Sequence, residues 1–215
     1  MALKQITRLL LTLPLALLLG TTTQAQDAVQ QDRFTILFLG DSLTEGLGLE
    51  EIESYPSLLQ QRFAAEGRAI EVLNAGISGS TSASGLSRLQ WYIRSQPELL
   101  VLALGANDGL RGLSVDEMKT NLAKTIEFAL ANKVQVALTG MLTPPNMGPE
   151  YSAAFAGVFP ELAAQYQLPF LPFLLEGVAA VPELNQGDGI HPNVEGTKIV
   201  AETLYQFLLP LLPPS

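Results

Sequence analysis

The chain has 215 residues, 12 basic against 21 acidic side chains, a formal net charge of −9 and no cysteine. An acidic balance of this size argues against nucleic acid or an anionic membrane surface as a main partner. The lack of cysteine excludes a disulfide frame, a lipidated N-terminal Cys and a thiolate metal site.

Residues 1–25 read as a secretory signal: Lys4 and Arg8, then an apolar run over 9–19, then small residues ending at Ala25, after which cleavage is expected. As a helix that run would span only about 17 Å, against roughly 30 Å of hydrocarbon, and Pro14 interrupts it, so no stable membrane span is expected. Removal of the signal leaves 190 residues with a charge of −11, a single domain over 26–215 that can bury roughly 70% of its unfolded surface. The mature protein is expected in the periplasm or outside the cell, as a monomer.

Strand-length apolar runs recur at 34–39, 69–73, 99–104 and 134–139, with a weaker one at 169–171. Helical patterns lie between them, at 56–66 (closed by Gly67), 82–95, 151–166 and 194–208, the last behind Asn193 as a cap. The clearest helix opens on a capping box, Ser114-Val-Asp-Glu117, and then sets Val115, Met118, Leu122, Ile126 and Ala129 on one face. Near-continuous apolar strands alternating with helices imply an α/β fold with a parallel sheet covered on both faces. In such a sheet, ligands bind beyond the carboxyl ends of the strands. The segments GDSLTEG (40–46), NAGISGS (74–80) and GAND (105–108) each follow a strand, and DGIHPN (188–193) precedes the last helix, so all four belong on one edge.

His191 is the only histidine, so the search for a general base reduces to one residue. Asp188 lies three residues earlier, with Gly189 between them to allow a tight turn, so its carboxylate can reach Nδ1 while Nε2 faces the pocket. Pro192 makes a rigid exit toward the helix. Ser42 supplies a hydroxyl nucleophile and its own N–H; Gly79 offers a second N–H on a loop, and Asn107 an amide at the next strand end. Asp41 is a poor candidate for the acid because adjacent side chains diverge; it is expected to bond nearby backbone, while Gly40 permits the turn. Asp108 is a weaker rival to Asp188.

With these four ordered blocks, the whole mature chain resembles the SGNH hydrolases, or GDSL family, and within it the bacterial periplasmic thioesterase I, lysophospholipase and arylesterase group. The resemblance implies a flavodoxin-like three-layer α/β/α sandwich with a five-stranded parallel sheet in the order 2-1-3-4-5. It also implies Ser42 as nucleophile, Asp188 and His191 completing the triad, and the Ser42 N–H, Gly79 and Asn107 as oxyanion hole, with no cofactor and no metal. Two departures stand out: Ala106 where relatives carry glycine, and Gly76 where they carry serine; both are expected to alter the acyl pocket.

Other readings fit less well. The glycine-rich GDSLTEGLG lacks the Gly-Lys-Ser/Thr ending of a P-loop and the spacing of a dinucleotide site. No Gly-x-Ser-x-Gly elbow occurs, and a single histidine without cysteine leaves only carboxylates for a metal. The segment 139–151 supplies Met141, Leu142, Pro144 and Met147, and Leu110 and Ile190 lie beside the motifs; these are expected to wall a pocket for a small-molecule acyl ester or thioester with a linear chain. Leu113 follows GAND, and Arg111 and Glu45 are the few charges near the motifs. Esterase and thioesterase activity is the expectation. Short-chain acetyl esters are the second reading, and a catalytically silent acyl-lipid binding protein the alternative of another class.

Overall fold

A computed structural model describes residues 33–214; the expected signal peptide and its cleavage site after Ala25 lie outside the described residues. Five strands, β1 (Phe34–Gly40), β2 (Ile70–Gly76), β3 (Leu99–Ala103), β4 (Gln135–Thr139) and β5 (Phe170–Leu171), pair in parallel throughout, in the order β2-β1-β3-β4-β5. This is the order that the family resemblance implied. The strands fall on the five apolar runs.

The helices are α1 (Ser42–Glu45), α2 (Tyr55–Ala65), α3 (Gly85–Tyr92), α4 (Ala106–Leu110), α5 (Val115–Ala131), α6 (Pro149–Tyr166) and α7 (Val194–Leu208). α2 packs on α7, and α5 packs on α3 and α6, so two helical layers flank the sheet. Burial explains the composition of the central strands. Ile36, Leu37, Phe38 and Leu39 of β1 and Leu100, Val101 and Leu102 of β3 have no exposed surface, each such side chain contributing about 1.5–3 kcal/mol.

The edges of the sheet are blunted. The side chain of Gln60 accepts from Val72 N at 2.8 Å and donates to Ile70 O at 3.2 Å, standing in for a strand neighbour along the outer side of β2. At the other edge β5 is only two residues long.

Local expectations meet some corrections. Ser114 accepts from Glu117 N at 3.2 Å, but the return contact of a full capping box is not among the hydrogen bonds of the described residues. Asn193 caps α7 by accepting from the N–H groups of Glu195 and Gly196, both at 3.0 Å. The pattern over 82–95 is a helix only at its centre, with 3-10 turns at Ser82–Ser84 and Ile93–Ser95. α6 begins at Pro149, two residues before the expected start, because proline at the first helical position forgoes no hydrogen bond. The one-turn helix α1 occupies the segment where Gly40 was expected to permit a turn, and a second one-turn helix, α4, carries the GAND segment.

Gly40 also differs from expectation. It does not have positive φ; it is glycine because a Cβ there would overlap the Thr44 side chain and stand 3.1 Å from Ala103 O. Thr44 cannot yield, since it is fully buried and its hydroxyl is bonded to Tyr55 Oη at 2.6 Å. Gly40→Ala is therefore expected to destabilise the protein by about 1–3 kcal/mol through overpacking, read as a lowered urea midpoint at unchanged m-value.

Candidate active site

β1 releases the chain at Gly40, and Asp41 turns it by accepting from Leu43 N at 3.1 Å as the N-cap of α1. Ser42 is the first residue of that helix and is only 8% exposed. Its Oγ lies 2.8 Å from His191 Nε2, and His191 Nδ1 lies 2.6 Å from Asp188 Oδ2. The other carboxylate oxygen of Asp188 accepts from the backbone N–H groups of Ile190, at 2.9 Å, and His191, at 3.0 Å, around Gly189 with φ +70°. These donors pull the Asp188 carboxyl down to about 2, the Ile190 N–H most, then the imidazole and the His191 N–H. An ionised Asp188 holds the proton on Nδ1, which leaves Nε2 as an acceptor for the Ser42 hydroxyl.

The histidine loop is tied down on two sides. Gln186 N donates to His191 O at 2.8 Å, and the Gln186 amide donates to Leu47 O at 2.7 Å and Pro192 O at 3.0 Å. Through these bonds the loop before α7 is fastened to the exit of α1.

A cleft of about 160 Å³ is lined by Ser42, Gly79, Asn107 and His191, the first three of which carry candidate N–H donors. Neither Ser42 N–H nor Gly79 N–H has a partner among the described residues. Asn107 spends one amide hydrogen on Asp41 Oδ2, at 3.4 Å, and keeps the other. The arrangement can take a proton from a hydroxyl and receive negative charge beside it.

The two rival acids have other work. Asp108, 3% exposed, accepts from Ser82 N at 2.8 Å and Ser82 Oγ at 2.6 Å, anchoring the loop after β2. Asp41, 1% exposed, caps α1 and orients Asn107, and burial pushes its carboxyl up to about 6 against the opposing N–H of Leu43. Among the described residues no group of three His, Cys, Asp or Glu side chains could hold a metal ion, and no helix is long and apolar enough to cross a membrane.

An apolar cavity of about 340 Å³ adjoins the cleft, and the two share Leu43, Ala106, Leu110 and Ile190. Of the expected wall residues, Leu110, Met141, Leu142, Pro144 and Ile190 line it, whereas Met147 does not and lies near Gly112. Leu113 is outside as well; its carbonyl accepts from Tyr151 Oη at 2.9 Å. Ala106 stands in the wall as expected, but Gly76 does not: a Cβ there would run into the backbone of Thr44 and Glu45. Of the rest of the wall, Thr143 and Pro145 extend the expected stretch, while Phe173, Leu175, Ala179 and Ala180 come from a segment with no motif. A larger cleft, about 670 Å³, lies beside the edge of β2 and contains none of the candidate catalytic residues.

Known proteins share the family and the fold of this chain. Residues 38–199 match the GDSL-like lipase/acylhydrolase family. The chain is 43% identical to esterase TesA of Pseudomonas aeruginosa over 95% of this chain and 98% of that one, and the crystal structure of TesA superposes with a TM-score of 0.80 over 83% of this chain and 99% of that one. It is 35% identical to thioesterase 1/protease 1/lysophospholipase L1 of Escherichia coli K12, covering 83% and 85% of the two chains. The psychrotrophic esterase EstA of Pseudoalteromonas sp., in a structure inhibited by monoethylphosphonate, is 35% identical with a TM-score of 0.79, over 82% and 97%.

Asp41 gives a prediction whose sign follows from its raised pKa. Between 3.8 and about 6 the folded state holds a proton that the unfolded chain has released, so this group lowers stability as pH rises through that window. Asp41→Asn is expected to remove a loss on the order of 2 kcal/mol. Urea unfolding of both proteins at pH 4 and pH 7 should show the variant gaining on the parent at the higher pH; an equal difference at both would refute it.

Proposed function

The chain belongs to the GDSL-like lipase/acylhydrolase family, and on that footing we propose that it hydrolyses carboxylic esters and thioesters of linear acyl groups through an acyl-enzyme on Ser42. The observation that carries the proposal is the continuous chain from Ser42 through His191 to Asp188, at 2.8 and 2.6 Å, next to three unused N–H donors. His191 Nε2 takes the Ser42 proton as Oγ attacks the acyl carbon. The resulting imidazolium is held by Asp188, and the oxyanion is received by Ser42 N–H, Gly79 N–H and the Asn107 amide. Collapse of the tetrahedral intermediate breaks the bond to the leaving group, which departs with the proton from Nε2 as alcohol or thiol. Water, deprotonated by the same nitrogen, then releases the acid and restores Ser42.

The adjoining 340 Å³ cavity favours a chain of several methylenes over an acetyl group, because its walls are mainly Leu, Met, Pro, Phe and Ala side chains and its one hydroxyl, that of Thr143, is already bonded to Ser152 at 2.7 Å. The names of the relatives, esterase and thioesterase/lysophospholipase, fit the same substrate class. Export belongs to this proposal: Lys4, Arg8, the apolar run and the small residues before Ala25 would direct the chain out of the cytoplasm, with action in the periplasm or outside the cell.

Hydrolysis of p-nitrophenyl esters from acetate to palmitate, by the mature protein and its Ser42→Ala variant, tests the proposal. Turnover abolished by the substitution, with a kcat/KM optimum beyond acetate, is the expected result; an optimum at acetate would select the short-chain reading. Asn107→Ala should lower kcat by roughly 10² to 10³ with little change in KM. Ala179→Phe, at a wall residue of the cavity that the cleft does not share, should move the optimum toward shorter chains while leaving acetate turnover intact.

A further inference from the structure

The Gly79 N–H belongs to a peptide group with two orientations of opposite consequence. Ser80 N donates to Ile77 O at 3.2 Å and closes a four-residue turn; Gly79, its third residue, has φ +75°, whereas Ser78, its second, does not have positive φ. That combination is a type II turn. Type I differs from it mainly by rotation of the central peptide, the one joining Ser78 C=O to Gly79 N–H. After such a rotation the N–H would leave the cleft and the Ser78 carbonyl would replace it, presenting an acceptor where negative charge develops.

Two charged side chains grip the turn on either side of that peptide. The Glu45 carboxylate accepts from Ser78 N at 2.7 Å and also from the Ser78 hydroxyl. The Arg111 guanidinium donates to Gly79 O at 2.8 Å. Each side chain also comes from an element that carries one of the other donors. Glu45 closes α1, whose first residue is Ser42, and Arg111 caps α4, its own N–H donating to Asn107 O at 3.2 Å. Ser42, Gly79 and Asn107 are thereby linked in sequence by Glu45 and Arg111. Both side chains are on exposed residues, where an ion contributes little to stability, so global folding does not account for the pair.

We propose that Glu45 and Arg111 are positioning residues that lock the central peptide of the Ile77–Ser80 turn with Gly79 N–H in the oxyanion site. The inference rests on the catalytic roles proposed for Ser42, Gly79 and Asn107. It assigns these two charges to the fixing of backbone donors rather than to recognition of a charged substrate group.

The test measures kcat and KM on the best p-nitrophenyl ester for Glu45→Ala, Glu45→Gln and Arg111→Ala, alongside the parent and Ser42→Ala. It adds the inhibition constant of an alkyl boronic acid, which forms a tetrahedral adduct with the serine oxygen. Glu45→Ala and Arg111→Ala should each lower kcat by about 10-fold, less than outright loss of a donor, with KM within about 2-fold of the parent. The boronate constant should rise by a similar factor. Glu45→Gln keeps an acceptor for Ser78 N–H and should retain near-parental kcat. Melting temperatures close to the parent's would exclude misfolding. The inference is overturned if the alanine variants keep parental kcat, if the loss falls on KM alone, or if Glu45→Gln is as impaired as Glu45→Ala. Failure of the underlying reading is separate: it would appear as an inactive parent or an active Ser42→Ala protein.

Discussion

The position of the Ser42 hydroxyl depends on how closely α1 folds back over the end of the sheet. Gly40 leaves no room for a Cβ beside Thr44, and Gly76 leaves none beside the backbone of Thr44 and Glu45. With both strands lacking side chains at that level, one helical turn can rest directly on β1 and β2, and the buried Thr44–Tyr55 hydrogen bond fastens it to α2. Ser42 is thus carried by a backbone held from below by packing. A hydroxyl delivered in this way loses little freedom when it meets the His191 imidazole, because the freedom was lost in folding.

Two carboxyl groups stand near one imidazole, and their environments drive them in opposite directions. Asp188 is half exposed, yet two backbone N–H groups and the imidazole stabilise its charge, and its pKa falls to about 2. Asp41 is buried, and desolvation outweighs its hydrogen bonds, so its pKa rises to about 6. Exposure alone would leave Asp188 unshifted; the donors decide the result. The group in contact with the imidazole is therefore the one whose charge is secure. Asp41, which orients Asn107, carries a charge that is costly to maintain.

Much of this was legible in the sequence, for identifiable reasons. Parallel strands buried on both faces are written as unbroken apolar runs such as that of β1, and a chain with one histidine offers one imidazole. The spacing of Asp188, Gly189 and His191 is local, so a tight turn could be read from it. The strand order came from family resemblance, since apolar periodicity carries no information about neighbours. The turn expected at Ser42 is a single helical turn because Asp41 serves as a cap in either structure. Part of the apolar cavity's wall was illegible: Phe173, Leu175 and Ala179 come to line the same cavity as Met141 only through the path of a loop. Met147 matched in composition and failed in direction.

The bonds from Gln186 to His191, Pro192 and Leu47 bear on when the molecule becomes competent. Its hydroxyl is supplied by the first strand–helix junction and its imidazole by the loop before the last helix, so the two meet only after α7 has docked on α2 and the loop has closed. A chain that has formed the sheet but not this closure contains every strand and leaves the Ser42 hydroxyl without its imidazole partner. The Ser42–His191 contact therefore reports completion of the topology, and a nascent chain carrying Ser42 cannot make it until the segment through α7 has been added and the loop has closed.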